Sequence, residues 1–323
     1  MDEEFCNDVK RQVIAHIGAG RRHFVYWGLN ENCLRILSDL HDLAPVGSHL
    51  SGIVDPDHEK QEATPFGCEV SSPDRVKNLD LDVLVICVDK EKEEALRHFS
   101  RVDRRLPQVI VSGTGHFEFE DPTFRTIQSS CLVKSYATGY SDSLAHLYQA
   151  IKYLSDSELE GSVAEFGMFK GGTTEFIARA LKHFGFEDLR IYGFEAFGGF
   201  PPRKSVLDLY TNPECEYHDS RAVEVNASEH GIVVIKGDIC ETYHRLDGIP
   251  LMLSFFDTDN YTPTRMALEL CFEQTVKGGI LAFDHYVSVD RFIYTVGERI
   301  AAREVLSDKK VFNLHGTGIF IKL

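Results

Sequence analysis

Short apolar runs alternate with stretches of helical spacing in the first third of the chain. The strand-like runs are residues 24–27, 50–54, 83–88 and 109–111, and the helical patterns between them are residues 32–37 and 91–99. Strands that alternate with helices usually form a parallel sheet with crossover helices. Residues 22–112 therefore predict a Rossmann-like α/β module.

A second series of the same kind fills the rest of the chain. It begins with a helix that has apolar residues at positions 144, 147, 151 and 154. Strand-like runs follow at 163–165, 189–194, 231–235, 251–256 and 279–283, then a helix at 295–304 and two terminal runs at 310–314 and 318–322. A chain of 323 residues is expected to contain two domains. We predict a boundary near 125–135, which gives domains 1–130 and 131–323.

Residues 163–174 have the pattern of a strand, a glycine turn and a helix. The acid and the glycines of this turn are Glu165, Gly167, Gly171 and Gly172. Glycines let a bound molecule approach the backbone, and the start of a helix presents unpaired N–H groups. The spacing differs from the G-x-G-x-x-G of dinucleotide sites. The turn therefore predicts a nucleotide-like ligand without indicating which one.

The next two strands end in acids that suit the same kind of ligand. Glu195 follows Glu165 by about one strand–helix–strand unit, and it can accept hydrogen bonds from both hydroxyls of a ribose. A loop rich in glycine and proline starts at Phe197, where it is suited to cover a cofactor. Asp238 follows the third strand and either bonds an adenine amine or belongs to a surface turn.

Three carboxylates and one imidazole follow the fourth and fifth strands. Asp257 and Asp259 are two residues apart in an extended segment, so they face the same side. Asp284 and His285 come directly after the fifth strand. Nearby carboxylates repel each other unless a cation or a proton lies between them. The pattern predicts a site for Mg²⁺ or another hard divalent ion. Thr262 and Pro263 predict the start of a helix, with the threonine hydroxyl as its cap and proline in the first turn. The alternative for the acid pair is that one acid caps this helix and the other is exposed to solvent.

The first domain carries a weaker nucleotide pattern. Gly28 follows its first strand and Asp55 ends its second, in the positions of a phosphate turn and a ribose acid. The other glycines of the dinucleotide fingerprint are missing. A structural or substrate-positioning module is the favoured interpretation, and a bound nucleotide is the alternative.

Charge and cysteine content argue against some classes of function. The net charge of −16 disfavours a nucleic-acid partner or an anionic membrane surface, since both require a basic face. The eight cysteines are scattered without a C-x-x-C pair, which is typical of reduced thiols in a cytoplasmic protein. The acidic residues 1–5 lead into no apolar core and do not resemble a signal peptide. No apolar run reaches membrane-spanning length.

Taken together, these elements resemble the macrocin O-methyltransferase family. The matching segments are EFGMFKGGT at 165–173, GFEAFGGFP at 193–201, FDTDNY at 256–261 and GGILAFDH at 278–285. The resemblance covers roughly residues 136–323. It implies a class I methyltransferase sheet, whose antiparallel end is formed by the two terminal strands. It also implies S-adenosylmethionine as cofactor and a sugar hydroxyl as methyl acceptor, in natural product or polysaccharide biosynthesis.

The resemblance also implies roles for single residues. The cofactor would be bound by Glu165, Gly167, Gly171, Thr173, Glu195, Phe197 and Asp238. Asp257 corresponds to the catalytic base and Asp259 to a metal ligand. Two adjacent acids complete the metal site of the family, and they correspond here to Asp284 and His285. An imidazole can bind a metal or accept a proton, but it prefers softer ions than Mg²⁺.

Two other functions stay open from the sequence alone. His285 in place of an acid allows a non-catalytic protein that binds a cofactor or nucleotide sugar and has lost its metal site. The first domain allows a sugar-nucleotide oxidoreductase fused to the transferase, although its incomplete glycine pattern counts against this. The expected partner is a small, sugar-containing acceptor, and a homo-oligomer is left open.

Overall fold

The chain divides into two units, Met1–Phe119 and Glu120–Leu323. The computed structural model describes residues 3–41, 49–115, 118–287 and 293–323. The division falls before the boundary predicted at 130, because the helix Pro122–Ser130 packs within the second unit. Its Phe124 ring contacts Phe176 edge to face, with 5.7 Å between the ring centroids.

The first unit contains a five-stranded sheet. Its elements are α1 (Glu3–Gly18), β1 (Phe24–Trp27), α2 (Glu31–His41), β2 (Leu50–Val54), β3 (Val70–Ser71), β4 (Val83–Ile86), α3 (Lys92–Val102) and β5 (Gln108–Ile110). Short 3₁₀ turns lie at Lys60–Glu62, Pro65–Gly67 and Pro73–Asn78. The strands lie in the order β3-β2-β1-β4-β5, and all neighbours pair in parallel. The predicted Rossmann-like sheet is confirmed, whereas α1 and β3 had not been predicted.

The core of the first unit includes the only tryptophan of the chain. Trp27 ends β1 and is 2% exposed. Its ring contacts Phe99 of α3 edge to face, with 6.5 Å between the ring centroids. Apolar residues on both faces of β1 are buried, because α1 and α2 cover one face and α3 the other. This arrangement is typical of a doubly wound sheet.

The second unit contains a seven-stranded sheet. Its elements are α4 (Pro122–Ser130), α5 (Ser143–Ser155), β6 (Ser162–Phe166), α6 (Gly172–His183), β7 (Ile191–Glu195), α7 (Ser220–Glu229), β8 (Ile232–Lys236), α8 (Ile239–Thr242), β9 (Leu251–Phe256), α9 (Tyr261–Gln274), β10 (Thr275–Phe283), α10 (Val296–Leu306), β11 (Val311–Asn313) and β12 (Ile319–Lys322). Short 3₁₀ turns lie at Pro213–Cys215, Tyr243–Leu246 and Ile293–Thr295. All predicted strands are present, and β10 begins earlier than predicted. Within the described ranges, no helix is both long and apolar enough to cross a membrane.

The strand order of the second sheet creates a reversal point beside β6. The order is β11-β12-β10-β9-β6-β7-β8, so the chain runs outward from β6 to β8 and then returns to β9 on the other side of β6. The five strands β8, β7, β6, β9 and β10 pair in parallel with their neighbours, and β12 is antiparallel to both β10 and β11. The predicted antiparallel end is confirmed. Open α/β sheets bind ligands at the carboxyl ends of the strands next to such a reversal.

Four stacked phenylalanines lie in the strands just before the residues at this edge of the sheet. They are Phe194, Phe166, Phe256 and Phe283, which lie opposite one another on β7, β6, β9 and β10. Successive ring centroids are 4.6, 5.1 and 5.0 Å apart, and the rings are close to parallel. Large rings with few rotatable bonds make a rigid base for the residues that follow each strand.

Helix α9 begins earlier than predicted. We expected Thr262 to cap it, but the helix starts at Tyr261 and Asn260 takes the cap position. The Asn260 amide is used elsewhere, since it accepts from Tyr210 N at 2.9 Å and donates to Tyr210 O at 3.0 Å. Thr262 donates from its backbone and its hydroxyl to the Asp208 carboxylate, both at 2.8 Å. These bonds attach the loop around Tyr210 to the start of α9.

Candidate active site

A cavity of about 550 Å³ opens at the carboxyl ends of the strands in the second unit. Residues at or just beyond the carboxyl ends of five strands line it, namely Gly167, Glu195, Asp238, Asp257 and His285. The loop between β7 and α7 contributes residues 199–204 and 210–212. A cavity of this size is in the range that holds a small organic ligand.

The glycine turn after β6 folds tightly against the end of β9. Gly167 has a φ of +91°, and a Cβ there would lie 2.0 Å from the backbone oxygen of Asp257. Gly171 precedes α6 with a φ of +85°. A Cβ on Gly172 would lie 2.2 Å from the backbone oxygen of Lys134. The turn therefore requires glycine for close contacts within the protein as well as for any ligand.

Glu165 lies behind the wall of the cavity. One of its carboxylate oxygens accepts a hydrogen bond from the Thr174 hydroxyl, and the other has no partner among the described residues. Burial raises the pKa of Glu165 to about 8, although the bond from Thr174 opposes this shift. Thr173 is also buried, and its hydroxyl bonds that of Ser135 at 2.7 Å. Neither Glu165 nor Thr173 lines the cavity, so both stabilise the glycine turn by contacts within the protein.

Glu195 lies in the cavity wall with its carboxylate held by the backbone. One oxygen accepts from Phe169 N at 2.7 Å and the other from Phe197 N at 3.0 Å. Burial raises the pKa of Glu195, while these N–H donors oppose the shift. A carboxylate has further lone pairs, so Glu195 can still accept hydrogen bonds from a ligand.

Phe197 and Asp238 differ in their access to the cavity. The Phe197 side chain is buried with Met168 and Val223, and it does not line the cavity. Asp238 does line it, and one of its oxygens caps α8 by accepting from Cys240 N at 2.9 Å. The other oxygen pairs with Lys204 at 2.5 Å. Asp238 therefore both caps the turn that begins α8 and lines the cavity.

Asp257, Asp259 and His285 form a cluster in the cavity wall. The Nε2 atom of His285 lies 3.0 Å from an Asp259 oxygen and 3.6 Å from an Asp257 oxygen. One ligand atom from each residue lies within 4.8 Å of the others. Asp259 has a φ of +59°, in a region that residues other than glycine rarely occupy. The structure therefore brings two acids and the imidazole together at one point.

The charges in this cluster influence one another. Burial raises the pKa of Asp257 well above its usual range, and the charges of Asp284 and Asp259 raise it further. Burial also raises the pKa of Asp259, against the effect of its hydrogen bond with His285. Burial lowers the pKa of His285, but the bond to Asp259 and the nearby carboxylates outweigh this and raise it to about 9. The cluster therefore favours a bound positive charge.

Asp284 lies next to the cluster but bonds with the segment before α5. Its carboxylate accepts from Thr138 N and Gly139 N, both at 3.0 Å, and from the Ser143 hydroxyl at 2.5 Å. It is buried and does not line the cavity. One of its oxygens is 3.3 Å from Nε2 of His285. Asp284 thus lies near the same Nε2 atom as Asp257 and Asp259, while its hydrogen bonds go to the segment before α5.

Two features of the site were not singled out in the sequence. Glu298 of α10 is fully buried, and its carboxylate accepts hydrogen bonds from the backbones of the segments after β9 and after β10. A single glutamate in a helix gives no signal of this role, because its partners lie 13 to 40 residues away in the chain. Lys170 lies among the rings of Tyr136, Phe169 and Tyr217, with 4.9 to 5.5 Å between Nζ and each ring centroid. Because Lys170 lies between Gly167 and Gly171, its position in the sequence could have indicated that it belongs to the site.

The corresponding turn of the first unit is filled by its own side chains. Asp55 accepts hydrogen bonds from Leu29 N at 2.6 Å and Asp57 N at 2.8 Å. A Cβ on Gly28 would lie 2.5 Å from a Val88 methyl carbon. Both residues that suggested a nucleotide site are therefore used in packing and in holding the turn. These contacts favour the structural interpretation of the first unit.

The order of the strands, the antiparallel end and the cavity at the carboxyl edge define a class I methyltransferase sheet. The sequence profile of macrocin-O-methyltransferase (TylF) matches residues 135–322. This chain belongs to that family, which consists of S-adenosylmethionine-dependent O-methyltransferases. The resemblance inferred from the sequence and the assignment as an enzyme are thereby confirmed.

Solved structures that are similar to this chain include further O-methyltransferases. The O-methyltransferase NovP is 16% identical over 55% of this chain and 78% of its own, with a TM-score of 0.44. The calicheamicin methyltransferase CalS11 is 20% identical over 66% of this chain and 99% of its own, with a TM-score of 0.44. An O-methyltransferase from Bacillus cereus in complex with SAH is 14% identical over 64% and 91%, with a TM-score of 0.39. No curated protein sequence matches this chain.

Proposed function

We propose that this enzyme transfers a methyl group from S-adenosylmethionine to a hydroxyl of a sugar-containing small molecule. The observation that carries the proposal is the cluster of Asp257, Asp259 and His285 in the wall of the cavity that Gly167 and Glu195 also line. Methyl transfer requires a donor and an acceptor held in line, and a group that takes the proton of the hydroxyl. A single cavity with both sets of residues supports this reaction.

The residues around the glycine turn fit the cofactor. We assign direct contacts to Gly167, Glu195 and Asp238, which line the cavity. The other predicted residues, Glu165, Gly171, Thr173 and Phe197, would support the cofactor from behind. A buried carboxylate oxygen without a partner, as in Glu165, fits a ligand that brings a hydrogen-bond donor or a positive charge to this turn. When bound, S-adenosylmethionine supplies an activated methyl group.

Asp257, Asp259 and His285 also fit a divalent cation, because their ligand atoms lie within 4.8 Å of one another. We propose that Asp259 and His285 hold the ion and that Asp284, which lies 3.3 Å from the same Nε2 atom, adds negative charge beside it. A set that includes an imidazole suits a first-row transition ion such as Mn²⁺ better than Mg²⁺. A cation at this point would supply positive charge that stabilises the deprotonated acceptor. It would also displace the proton from His285, so metal and proton compete for the same nitrogen.

Asp257 is our candidate for the catalytic base. Burial and the charges of Asp284 and Asp259 raise its pKa, and a carboxylate with a raised pKa holds a proton more strongly. The pKa of about 9 for His285 reflects its bond to Asp259 and the nearby carboxylates, which outweigh burial. Without a metal, His285 is then protonated at neutral pH and unsuited to act as a base. We therefore assign proton removal to Asp257 and a supporting positive charge or a metal-ligand role to His285.

The proposed acceptor class follows from family membership, since the family is named for the methylation of macrocin. Tyr136, Phe169 and Tyr210 give the cavity wall apolar ring faces against which a sugar or its aglycone can pack. We infer a role in natural product or polysaccharide biosynthesis. The cysteines are free, which fits a cytoplasmic enzyme.

Measurement of intact product mass tests the proposal. The full chain is incubated with methyl-labelled S-adenosylmethionine and a panel of glycosides and nucleotide sugars, with Mn²⁺, with Mg²⁺ or after EDTA treatment. We expect one labelled methyl group on the acceptor. We also expect a loss of about 10²- to 10⁴-fold in rate for Asp257→Asn, the usual contribution of a general base. Asp308→Asn, which changes an exposed carboxylate outside the cavity wall, is the matched control.

Undiminished transfer by Asp257→Asn would contradict the assignment of the base. Full activity after EDTA would contradict the metal and leave the His285 charge as the supporting group. Isothermal titration with S-adenosylmethionine separates an incomplete acceptor panel from a wrong cofactor assignment, because cofactor binding needs no acceptor.

A further inference from the structure

One buried carboxylate joins the two strand ends that carry the cluster. Glu298 lies in the first turn of α10 and is 0% exposed. Its Oε2 atom accepts from Thr258 N at 3.1 Å and from Asp259 N at 3.2 Å. Its Oε1 atom accepts from His285 N at 2.8 Å. The segment after β9 and the segment after β10 are thus held by opposite oxygens of the same side chain.

We propose that Glu298 is a positioning residue for methyl transfer, which fixes the backbones of Asp259 and His285 relative to each other. The inference rests on the proposed function, because it assigns Glu298 to the cluster that performs it. Glu298 does not line the cavity, so it acts through the residues that do.

The chemistry of burial supports this role. A carboxyl group is costly to bury unless it is hydrogen-bonded, and here three backbone N–H groups donate to its two oxygens. An apolar side chain of similar size would leave those N–H groups without partners, which is itself unfavourable. The interaction is therefore specific for a group with two acceptor atoms at this position.

The backbone of Asp259 supplies an independent argument. Its φ of +59° lies in a region that is strained for residues with side chains. Such a conformation persists only where surrounding contacts determine it. The bond from Asp259 N to Glu298 is one of these contacts, so Glu298 helps to maintain the unusual turn at a proposed metal ligand.

Other residues of α10 also pack this helix onto the second unit. Ala302 and Leu306 of the same helix belong to the apolar core of the second unit. A comparable buried acid, Glu175 of α6, accepts from Leu132 N but also pairs with Arg179 at 2.8 Å. Among the described residues, the hydrogen bonds of Glu298 all come from the segments that carry the cluster.

The test uses Glu298→Gln in the full chain. Glutamine keeps the size of the side chain, but its amide nitrogen cannot accept, so one set of backbone N–H groups loses its partner. We expect kcat to fall by about 10- to 100-fold, the usual effect of removing a group that orients a metal ligand or catalytic residue. The Kd for S-adenosylmethionine should stay unchanged. Hydrogen exchange should become faster in one of the peptides covering residues 257–260 and 284–287, namely the one whose N–H groups lose their acceptor.

Two control variants separate positioning from stability. Glu304→Gln makes the same chemical change on the same helix, at a carboxylate that bonds the Tyr261 hydroxyl. Leu306→Ala creates a cavity in the core beneath α10 and lowers Tm without removing a bond to the strand ends. All variants are assayed well below their Tm, with the folded fraction measured by circular dichroism. An equal loss of kcat in Leu306→Ala would reduce Glu298 to a stability role and overturn the proposal.

The remaining outcomes also decide the question. Unchanged hydrogen exchange in Glu298→Gln would overturn the contact itself, and faster exchange with unchanged kcat would overturn its role in positioning. A wild-type chain that transfers no methyl group would contradict the proposed function instead. Positioning is then measured by Mn²⁺ titration, where we expect about 10-fold weaker binding in Glu298→Gln. Equal Mn²⁺ affinity would overturn it.

Discussion

The protonation of single residues differs from what their types suggest. Burial raises the pKa of Glu165 to about 8. Burial lowers the pKa of His285, but the Asp259 bond and the charges of neighbouring acids raise it to about 9. The sequence places both residues at strand ends because an apolar run stops at each of them. It gives no access to their charge states, because these depend on burial and on residues such as Glu298 that lie elsewhere in the chain.

We predict that Glu165→Gln makes stability less dependent on pH. In the folded state Glu165 keeps its proton up to about pH 8, whereas the usual pKa is 4.5. Its contribution to stability is therefore fully present below the unfolded-state pKa and is lost as the pH rises through the folded-state value. The wild type should lose up to a few kcal/mol relative to the variant between about pH 5 and about pH 9, at about 1.4 kcal/mol for each unit of pKa shift.

Urea unfolding at several pH values measures this difference. Glu187→Gln, at an exposed carboxylate of the same unit, controls for the general effect of removing a charge. Parallel curves of unfolding free energy against pH for the wild type and Glu165→Gln would contradict the raised pKa.

At the level of elements, the strands were predictable and their precise ends less so. Buried parallel strands are nearly continuous apolar runs, so β6 to β10 stood out in the sequence. Helix α1 was missed although Phe5, Val9 and Val13 have helical spacing. The start of α9 was misplaced because the Asn260 side chain bonds Tyr210, fifty positions away, instead of capping its own helix. A contact over that distance leaves no local pattern in the sequence.

We predict that Gly167→Ala is more damaging than an ordinary glycine substitution. A Cβ there would lie 2.0 Å from the backbone oxygen of Asp257, and the φ of +91° is strained for alanine. Gly185→Ala is a matched control, since Gly185 has a φ of +86° but nothing within 4 Å of its Cβ position. Strain alone should cost about 1 to 2 kcal/mol in the control. Gly167→Ala should cost more in urea unfolding and should lower kcat as well, because the end of β9 has to move. Equal effects of the two substitutions would contradict the close contact.

At the scale of the whole molecule, the second unit contains the complete candidate site. The cavity lining runs from Tyr136 to His285, within Glu120–Leu323. Both the sheet and the helices that support it come from the same unit. The boundary was predicted from the change in pattern near 130, but helix α4 packs its Phe124 on Phe176 and so belongs to the second unit.

We predict that residues 120–323 fold and bind S-adenosylmethionine without the first unit. A fragment of residues 131–323 should be less stable by at least about 3 kcal/mol, because it lacks the buried ring of Phe124 and the rest of α4. Thermal unfolding of both fragments and titration with the cofactor measure these effects. Equal stability of the two fragments would contradict the assignment of α4, and an unfolded 120–323 fragment would contradict the independence of the second unit.

The position of the single tryptophan provides an optical signal for one unit only. Trp27 is buried in β1 of the first unit, so its emission reports whether that unit is folded. The second unit has no tryptophan in its sequence and can be followed by cofactor binding or by hydrogen exchange. Native fluorescence during denaturation of the full chain therefore distinguishes sequential from concerted unfolding of the two units, without any added label.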